Sequence, residues 1–272
     1  MLHKMMVHYC TQIIGGVPGA TMWKDAIDAA SIKIADFESA DVAEWDPNIA
    51  FAAQCHAQGL PIEAWAYVYG SGGSEAKYLW RQYEKLLAAL AAAGVDPALR
   101  PRYTLDAEVE YERNASMGFL DAMGDGHKEV ELAPMVMPMM PYRNRLALGA
   151  IENFGPVAPM LYWLDFSDRW RDWNVLIPDW EYGPFGRGWS RGFTEAAVSF
   201  YGQPVAPTLT ELQAFVEVLR GHGVTTCYWW QWQGAPESFW LWLRARKASV
   251  GEPGATADDA LALWLTRRAA TH

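Results

Sequence analysis

Short apolar runs of strand length alternate with longer stretches of helical period along most of the chain. MMVHYCTQ (5–12) reads as a first strand and TMWKDAIDAA (21–30) as a short helix. SIKIADF (31–37) is a second strand. DPNIAFAAQCHAQG (46–59) opens on Asp-Pro and closes on Gly59, as a capped helix does. LPIEAWAYVYG (60–70) is a third strand, stopped by the turn GSGGS. SEAKYLWRQYEKLLAALAAAG (74–94) places apolar residues three and four apart and ends at Gly94, so it predicts a long amphipathic helix.

RYTLDAEVEY (102–111) is strand four, and RNASMGFLDAMGDG (113–126) a helix after it. VELAPMVMPMM (130–140) is strand five, NRLALGAIENFG (144–155) a short helix, and APMLYWLDF (158–166) strand six. Residues 167–193, rich in Trp, Gly and Pro, read as a large loop. AAVSFYGQPV (196–205) is strand seven. TLTELQAFVEVLRGHG (208–223) is a helix with Thr208 or Thr210 as cap and Gly221 or Gly223 as stop. VTTCYWWQWQG (224–234) is strand eight and ESFWLWLRARKA (237–248) its helix. GEPGA then breaks the chain before TADDALALWLTRRAA.

About eight strand–helix units in some 250 residues predict an α/β fold, a (β/α)8 TIM barrel over residues 1–250. A linker and a short extra helix occupy 251–272. A doubly wound open sheet is the competing architecture. IIGGVPGA, after the first strand, lacks the G-x-G-x-x-G spacing which that fold uses for phosphate.

Strand four then poses a problem. Asp106, Glu108 and Glu110 alternate along it, so all three side chains leave one face. Three carboxylates on a buried face repel each other and resist desolvation. A barrel resolves this, because the carboxyl ends of its strands form a wet mouth. Other polar and aromatic residues fall at equivalent ends: Asp36 and Glu38, Tyr69, Trp163 and Asp165, Tyr201 and Gln203, Trp230, Gln231 and Gln233. Acids and amides bind hydroxyls, while indoles stack on sugar rings. Carboxylates two apart on a strand have Cα atoms ~6.6 Å apart, which suits the paired carboxyls of glycoside hydrolysis. The opposing reading has some of the three facing solvent or helices, in ion pairs with Arg102 or Arg113.

Composition sharpens the choice of partner. Fifteen tryptophans in 272 residues exceed what a core ordinarily absorbs and favour carbohydrate. The net charge of -10 and pI near 5.1 argue against nucleic acid or an anionic membrane. No apolar run reaches the ~20 residues of a membrane span. Three dispersed cysteines and six scattered histidines form no metal-ligand spacing, so neither metal nor cofactor is expected. The Trp-rich loop 167–193 is a candidate protein interface.

YTLDAEVEYE resembles the Leu-Asp-x-Glu strand of glycoside hydrolase family 25, the Chalaropsis-type lysozymes. AFAAQCHAQGLPIEAWAYVYG, MLYWLDFSD and YWWQWQG are similar to other parts of that family, so the likeness runs from Ile32 to Gln233. It implies Glu108 as general acid/base, with Asp106 orienting an acetamido group or stabilising charge, and a polysaccharide substrate of the peptidoglycan type. LDAEVEYE also looks like the Asp-x-Asp-x-Glu-Tyr strand of family 18 chitinases, and in that mapping Glu110 is the acid. The chain departs from family 25 in having no acid on strand one, and glutamines where a late Asp belongs.

The expected function is therefore a glycosidase cutting β-1,4 bonds in an N-acetylated polysaccharide. The alternative is an inactive carbohydrate-binding or structural module of a larger assembly. The N-terminus lacks the basic, apolar and small-residue order of an export signal. The expectation is cytoplasmic synthesis, with action on the cell wall if the protein is a phage-type lysin.

Overall fold

The computed structural model describes residues 1–38, 44–108, 111, 114, 116–126, 130–136, 154, 158–159, 191–195, 208–221 and 223–249. Eight strands are present: β1 (Leu2–Val7), β2 (Ala29–Asp36), β3 (Ile62–Val68), β4 (Tyr103–Ala107), β5 (Leu132–Val136), β6 (Ala158–Pro159), β7 (Arg191–Glu195) and β8 (Thr226–Trp230). Their order is β6-β5-β4-β3-β2-β1-β8-β7, and each ladder is parallel.

The first strand thus lies between the second and the last, which curls the sheet. Its edge strands β6 and β7 approach each other, although no ladder joins them among the described residues. The result is a curled parallel α/β sheet; full closure into a barrel goes beyond these ladders.

Helices α1 (Gly16–Thr21), α2 (Asp46–Ala57), α3 (Gly73–Ala92), α4 (Met117–Gly126), α5 (Leu209–Gly221) and α6 (Glu237–Ser249) complete the described elements. The alternation of each strand divides its residues between two environments. Val7, Ile32, Ile34, Ala64, Ala66, Leu105 and Trp229 join the apolar core with helix residues such as Leu79, Leu86, Phe215 and Trp242. Tyr103 stacks on Tyr83 of α3, with ring centroids 5.1 Å apart. The opposite parity faces the inside of the curl: Lys4 and Met6, Ser31 and Lys33, Glu63, Trp65 and Tyr67, Arg102, Thr104 and Asp106, Tyr228 and Trp230.

The caps explain the helix bounds. Thr208 and Glu211 form a reciprocal capping box, Glu211 N–H to Thr208 Oγ1 at 3.2 Å and Thr208 N–H to Glu211 Oε2 at 2.7 Å. Gly94 ends α3 at φ +82°, a left-handed conformation open to glycine at little cost.

Five expectations need correction. The first strand is Leu2–Val7, earlier than 5–12, and Cys10–Gln12 forms a 3-10 turn instead of its end. Thr21–Ala30 is not a helix: the short helix lies earlier, in Gly16–Thr21, and β2 already begins at Ala29. Pro18 suits an early helical turn, where its missing N–H costs little. Strand four ends at Ala107, so Glu108 follows the strand instead of lying within it. Residues 191–193, expected in the loop, belong to a strand, Arg191–Glu195, whose register against β8 pairs Phe193 with Tyr228; the strand expected over 196–205 lies outside the described residues. Strand eight ends at Trp230, with Gln231 just beyond and Gln233 in a 3-10 turn, Trp232–Gly234. Helix and strand candidates in 137–153, 160–190 and 251–272, including the extra C-terminal helix and most of the Trp-rich loop, lie outside the described residues.

Candidate active site

All strands point the same way, so their carboxyl ends gather at one mouth. β2, β3 and β4 bring Asp36, Tyr67 and Asp106 into a single row: Asp36 is in Cα register with Tyr67, and Tyr67 with Asp106. Asp106 is buried at 5% exposure. Glu108 shares its parity, sits one residue past the end of β4 and is half-buried. Asp106 thus ends the inward row of β4, and Glu108 follows just past the strand. Glu110 lies outside the described residues.

On the β2 side, Asp36 is held from two directions. Lys33 Nζ donates to Oδ2 at 2.8 Å, and the Tyr69 hydroxyl donates to Oδ1 at 3.1 Å. Residues three apart on a regular strand would face opposite sides. A bulge between Lys33 and Ala35 shifts the register and turns both side chains inward.

Lys33 is buried and sits within an aromatic box, 4.6 Å from the Trp45 ring centroid, 5.1 Å from Trp65 and 5.8 Å from Tyr67. His8 Nε2 lies 3.2 Å from the ammonium. An ammonium only donates, so Nε2 accepts and Nδ1 carries the imidazole proton. Burial pushes the His8 pKa down to about 4; Lys33 adds to this and Asp36 partly opposes it. His8 is therefore neutral near pH 7.

Asn48, on α2, pins this corner. Its amide donates to the carbonyls of His8 at 2.6 Å and Lys33 at 2.8 Å, and accepts from Cys10 N–H at 2.9 Å. Trp65 Nε1–H donates to Val7 O at 3.1 Å. Trp230, half-buried at the end of β8, packs edge-on against Trp65 at 5.5 Å and lies 5.8 Å from His8.

The loop carrying Tyr69 is clamped from α3. Glu75 is fully buried and accepts from Tyr69 N–H, Ser71 N–H and Ser71 Oγ–H at 2.7, 2.7 and 2.9 Å. Its place in the first turn of a 20-residue helix also suits the positive end of the helix dipole.

The other end of the curl is closed by a different polar group. Glu63 pairs with Lys4 and, at 3.2 Å, with Arg102, and accepts from the Tyr228 hydroxyl at 3.1 Å. Arg102 also reaches Glu131 at 2.8 Å. The opposing reading pairs Arg102 with the strand-four acids; its ion pairs are instead with Glu63 of β3 and Glu131, the residue before β5. Charged groups are therefore buried at both ends of the curl, Lys33 and Asp106 toward the carboxyl ends and Lys4 and Glu63 toward the other.

Of the residues expected at the mouth, Asp36 and Tyr69 are hydrogen-bonded, Asp106 stands in the row of Asp36, Trp230 packs on Trp65 at the end of β8, and Glu108 and Gln231 follow just past their strand ends. Glu38 lies two residues beyond β2 and is exposed. Trp163, Asp165, Tyr201 and Gln203 are outside the described residues, as is the Gln233 side chain. Sequence reasoning missed Lys33, His8, Asn48 and Glu75. Lys33 was hidden by the bulge, and the other three resemble ordinary helix or strand residues. Among the described residues no cluster of His, Cys, Asp and Glu suits a metal ion, and no helix is long and apolar enough to cross a membrane.

No protein-family model matches the chain, and no curated protein is similar to it in sequence at a significant level. Solved structures do share its fold. A chitinase from Ipomoea carnea superposes with a TM-score of 0.56 at 12% identity, over 88% of this chain and 97% of that one. The catalytic domain of a hyperthermophilic chitinase from Pyrococcus furiosus gives 0.56 at 11% identity, over 94% and 97%. The spore cortex-lytic enzyme of Bacillus megaterium gives 0.52 at 9% identity, over 89% and 73%. At such identities the likeness is one of fold.

Proposed function

We propose that the protein is a (β/α)8-barrel glycoside hydrolase cutting β-1,4 bonds in an N-acetylated polysaccharide, with peptidoglycan glycan as the preferred substrate and chitin as the competitor. The observation that carries this reading is Asp106 buried in one row with Asp36 at the carboxyl end of β4, with Glu108 half-buried just past that end. The neighbours support it: two are chitinases and one a spore cortex-lytic enzyme.

In this reading Glu108 is the general acid. It gives its proton to the glycosidic oxygen as the C–O bond breaks, and the departing sugar leaves as a neutral alcohol. Positive charge develops at the anomeric carbon. Asp106, deeper in the strand, orients the acetamido group whose carbonyl oxygen closes on that carbon, or stabilises the charge directly. Water then adds, and the Glu108 carboxylate takes up its proton. Trp230 and Gln231 line the opposite strand end as sugar-binding groups. No cofactor is required for these steps.

The family 25 and family 18 likenesses divide over the acid, Glu108 or Glu110. The position of Glu108 directly beyond the strand end favours it. Release of reducing ends from peptidoglycan and chitin, by wild type beside Glu108→Gln and Glu110→Gln, tests both the activity and the assignment. The second reading, a non-catalytic glycan-binding or structural module, rests on the absence of an acid on β1 and the residues MVHYCTQ around its end, where family 25 places one. Wild type that binds glycan without cutting it would favour that reading.

A further inference from the structure

We infer that Lys33 is a positioning residue, which holds Asp36 as the hydroxyl-binding group of a sugar subsite two strands away from Asp106. The inference rests on the glycan reading above and concerns the β1–β3 side of the same mouth.

A buried ammonium is an expensive way to fill space. Apolar residues of similar volume commonly stabilise a core as well as a buried ion pair does. Yet Lys33 is 4% exposed, and five side chains are arranged around it. His8 accepts one N–H, Asp36 accepts another, and Trp45, Trp65 and Tyr67 present ring faces. His8 contributes no charge, so the cluster holds one cation and one carboxylate. Asn48 fixes the backbone of both His8 and Lys33. Such an arrangement determines where the negative charge of Asp36 sits.

The Asp36 side chain retains 19% exposure. Among the described residues, Lys33 donates to one of its oxygens and Tyr69 to the other, and each carboxylate oxygen has two lone pairs. The remaining lone pairs are available to a ligand that donates. Sugar hydroxyls are such donors, and a charged acceptor makes the stronger bond with them. Asp36 lies in the row of Asp106, with Cα atoms ~9.6 Å apart across two strand spacings. A sugar held by Asp36 is therefore kept in register with the acids of β4 without competing for them. Lys33 touches Asp36 and the aromatic box, and acts on the sugar through Asp36.

The test uses kcat and KM for hydrolysis of N-acetylglucosamine hexasaccharide and solubilised peptidoglycan, with calorimetric binding of the hexasaccharide and urea unfolding on the same proteins. Lys33→Met and Asp36→Asn should each raise KM about 10- to 100-fold, the worth of a hydrogen bond to a charged group, with a smaller change in kcat. The double variant is decisive. Removing both members eliminates the stranded buried charge, so stability should recover relative to Asp36→Asn while KM stays raised. A merely structural pair would recover KM together with stability. Restored KM in the double variant, or wild-type KM in folded Lys33→Met, would overturn the inference while leaving the glycosidase reading intact. Wild type that neither binds nor cuts either glycan would instead overturn the glycosidase reading, and the subsite with it.

Discussion

Asp36 and Asp106 stand in one row across the inner face of the sheet, with Tyr67 in register with both. Their surroundings differ. Asp36 accepts from Lys33 and Tyr69, whereas Asp106 is more deeply buried, two residues before Glu108. The two acids should therefore fail in different ways. Asp106→Asn should lower kcat by about 100-fold, in the range of a lost electrostatic stabiliser, with little change in KM. Asp36→Asn should act mainly on KM. Steady-state kinetics on one soluble oligosaccharide separates them.

The floor of the curl carries stability without touching substrate. Glu63 receives Lys4, Arg102 and the Tyr228 hydroxyl in a largely buried setting. Glu63→Ala removes the carboxylate that Lys4 and the Tyr228 hydroxyl share with Arg102, which keeps Glu131, and should cost about 3–5 kcal/mol in urea unfolding. Activity per folded molecule should remain near wild type, because the floor is at the opposite strand ends from Glu108. A variant with normal stability would show the network to be solvated and weak.

Glu75 should show the converse coupling. Glu75→Ala removes the acceptor of two backbone N–H groups and one hydroxyl. Leaving those donors unpaired costs about 2–5 kcal/mol in total, and frees the loop that aims Tyr69 at Asp36. The variant should lose stability and raise KM together. A stable Glu75→Ala protein with unchanged KM would contradict the clamp.

Two histidines make stability pH-dependent. Burial lowers the His3 pKa to about 3, from 6.5, with smaller contributions from Arg246, the N-terminus and other cations; burial and Lys33 lower that of His8 to about 4. The unfolded chain thus takes up protons that the folded chain refuses. Stability should fall as pH drops below 6.5, by about 1.4 kcal/mol per pH unit for each histidine, and the loss from His8 should level off below pH 4 before that from His3. Trp229 Nε1–H donates to His3 Nδ1 at 3.1 Å. His3→Gln keeps an acceptor there and should remove one histidine's share of the slope between pH 6 and 4. An unchanged slope would place the proton uptake elsewhere.

Much of this architecture was legible in the chain because its cues are local. Gly59 and Gly94 mark helix ends, the 3.6-residue period of α3 is unbroken, and the Asp-x-Glu alternation signals a mouth on β4. What remained hidden depends on contacts distant in sequence. Lys33 reads as one polar residue in an apolar strand, and only the bulge places it beside Asp36. His8 and Asn48 acquire their roles from each other across 40 residues. Arg191–Glu195 escapes a reading of the sequence because it is short and follows a long stretch rich in Trp, Gly and Pro. Thr21–Ala30 reads as a short helix in sequence, although its end is recruited into β2 by pairing with β1 and β3.

The most direct test of the account is reducing-end release from purified peptidoglycan and from chitin by wild type and Glu108→Gln, each shown to be folded by urea unfolding. The account predicts release by wild type from at least one of these glycans, and a loss of at least about 1,000-fold in kcat for Glu108→Gln with glycan binding retained. Folded wild type that releases nothing from either substrate, or Glu108→Gln with wild-type turnover, would contradict it.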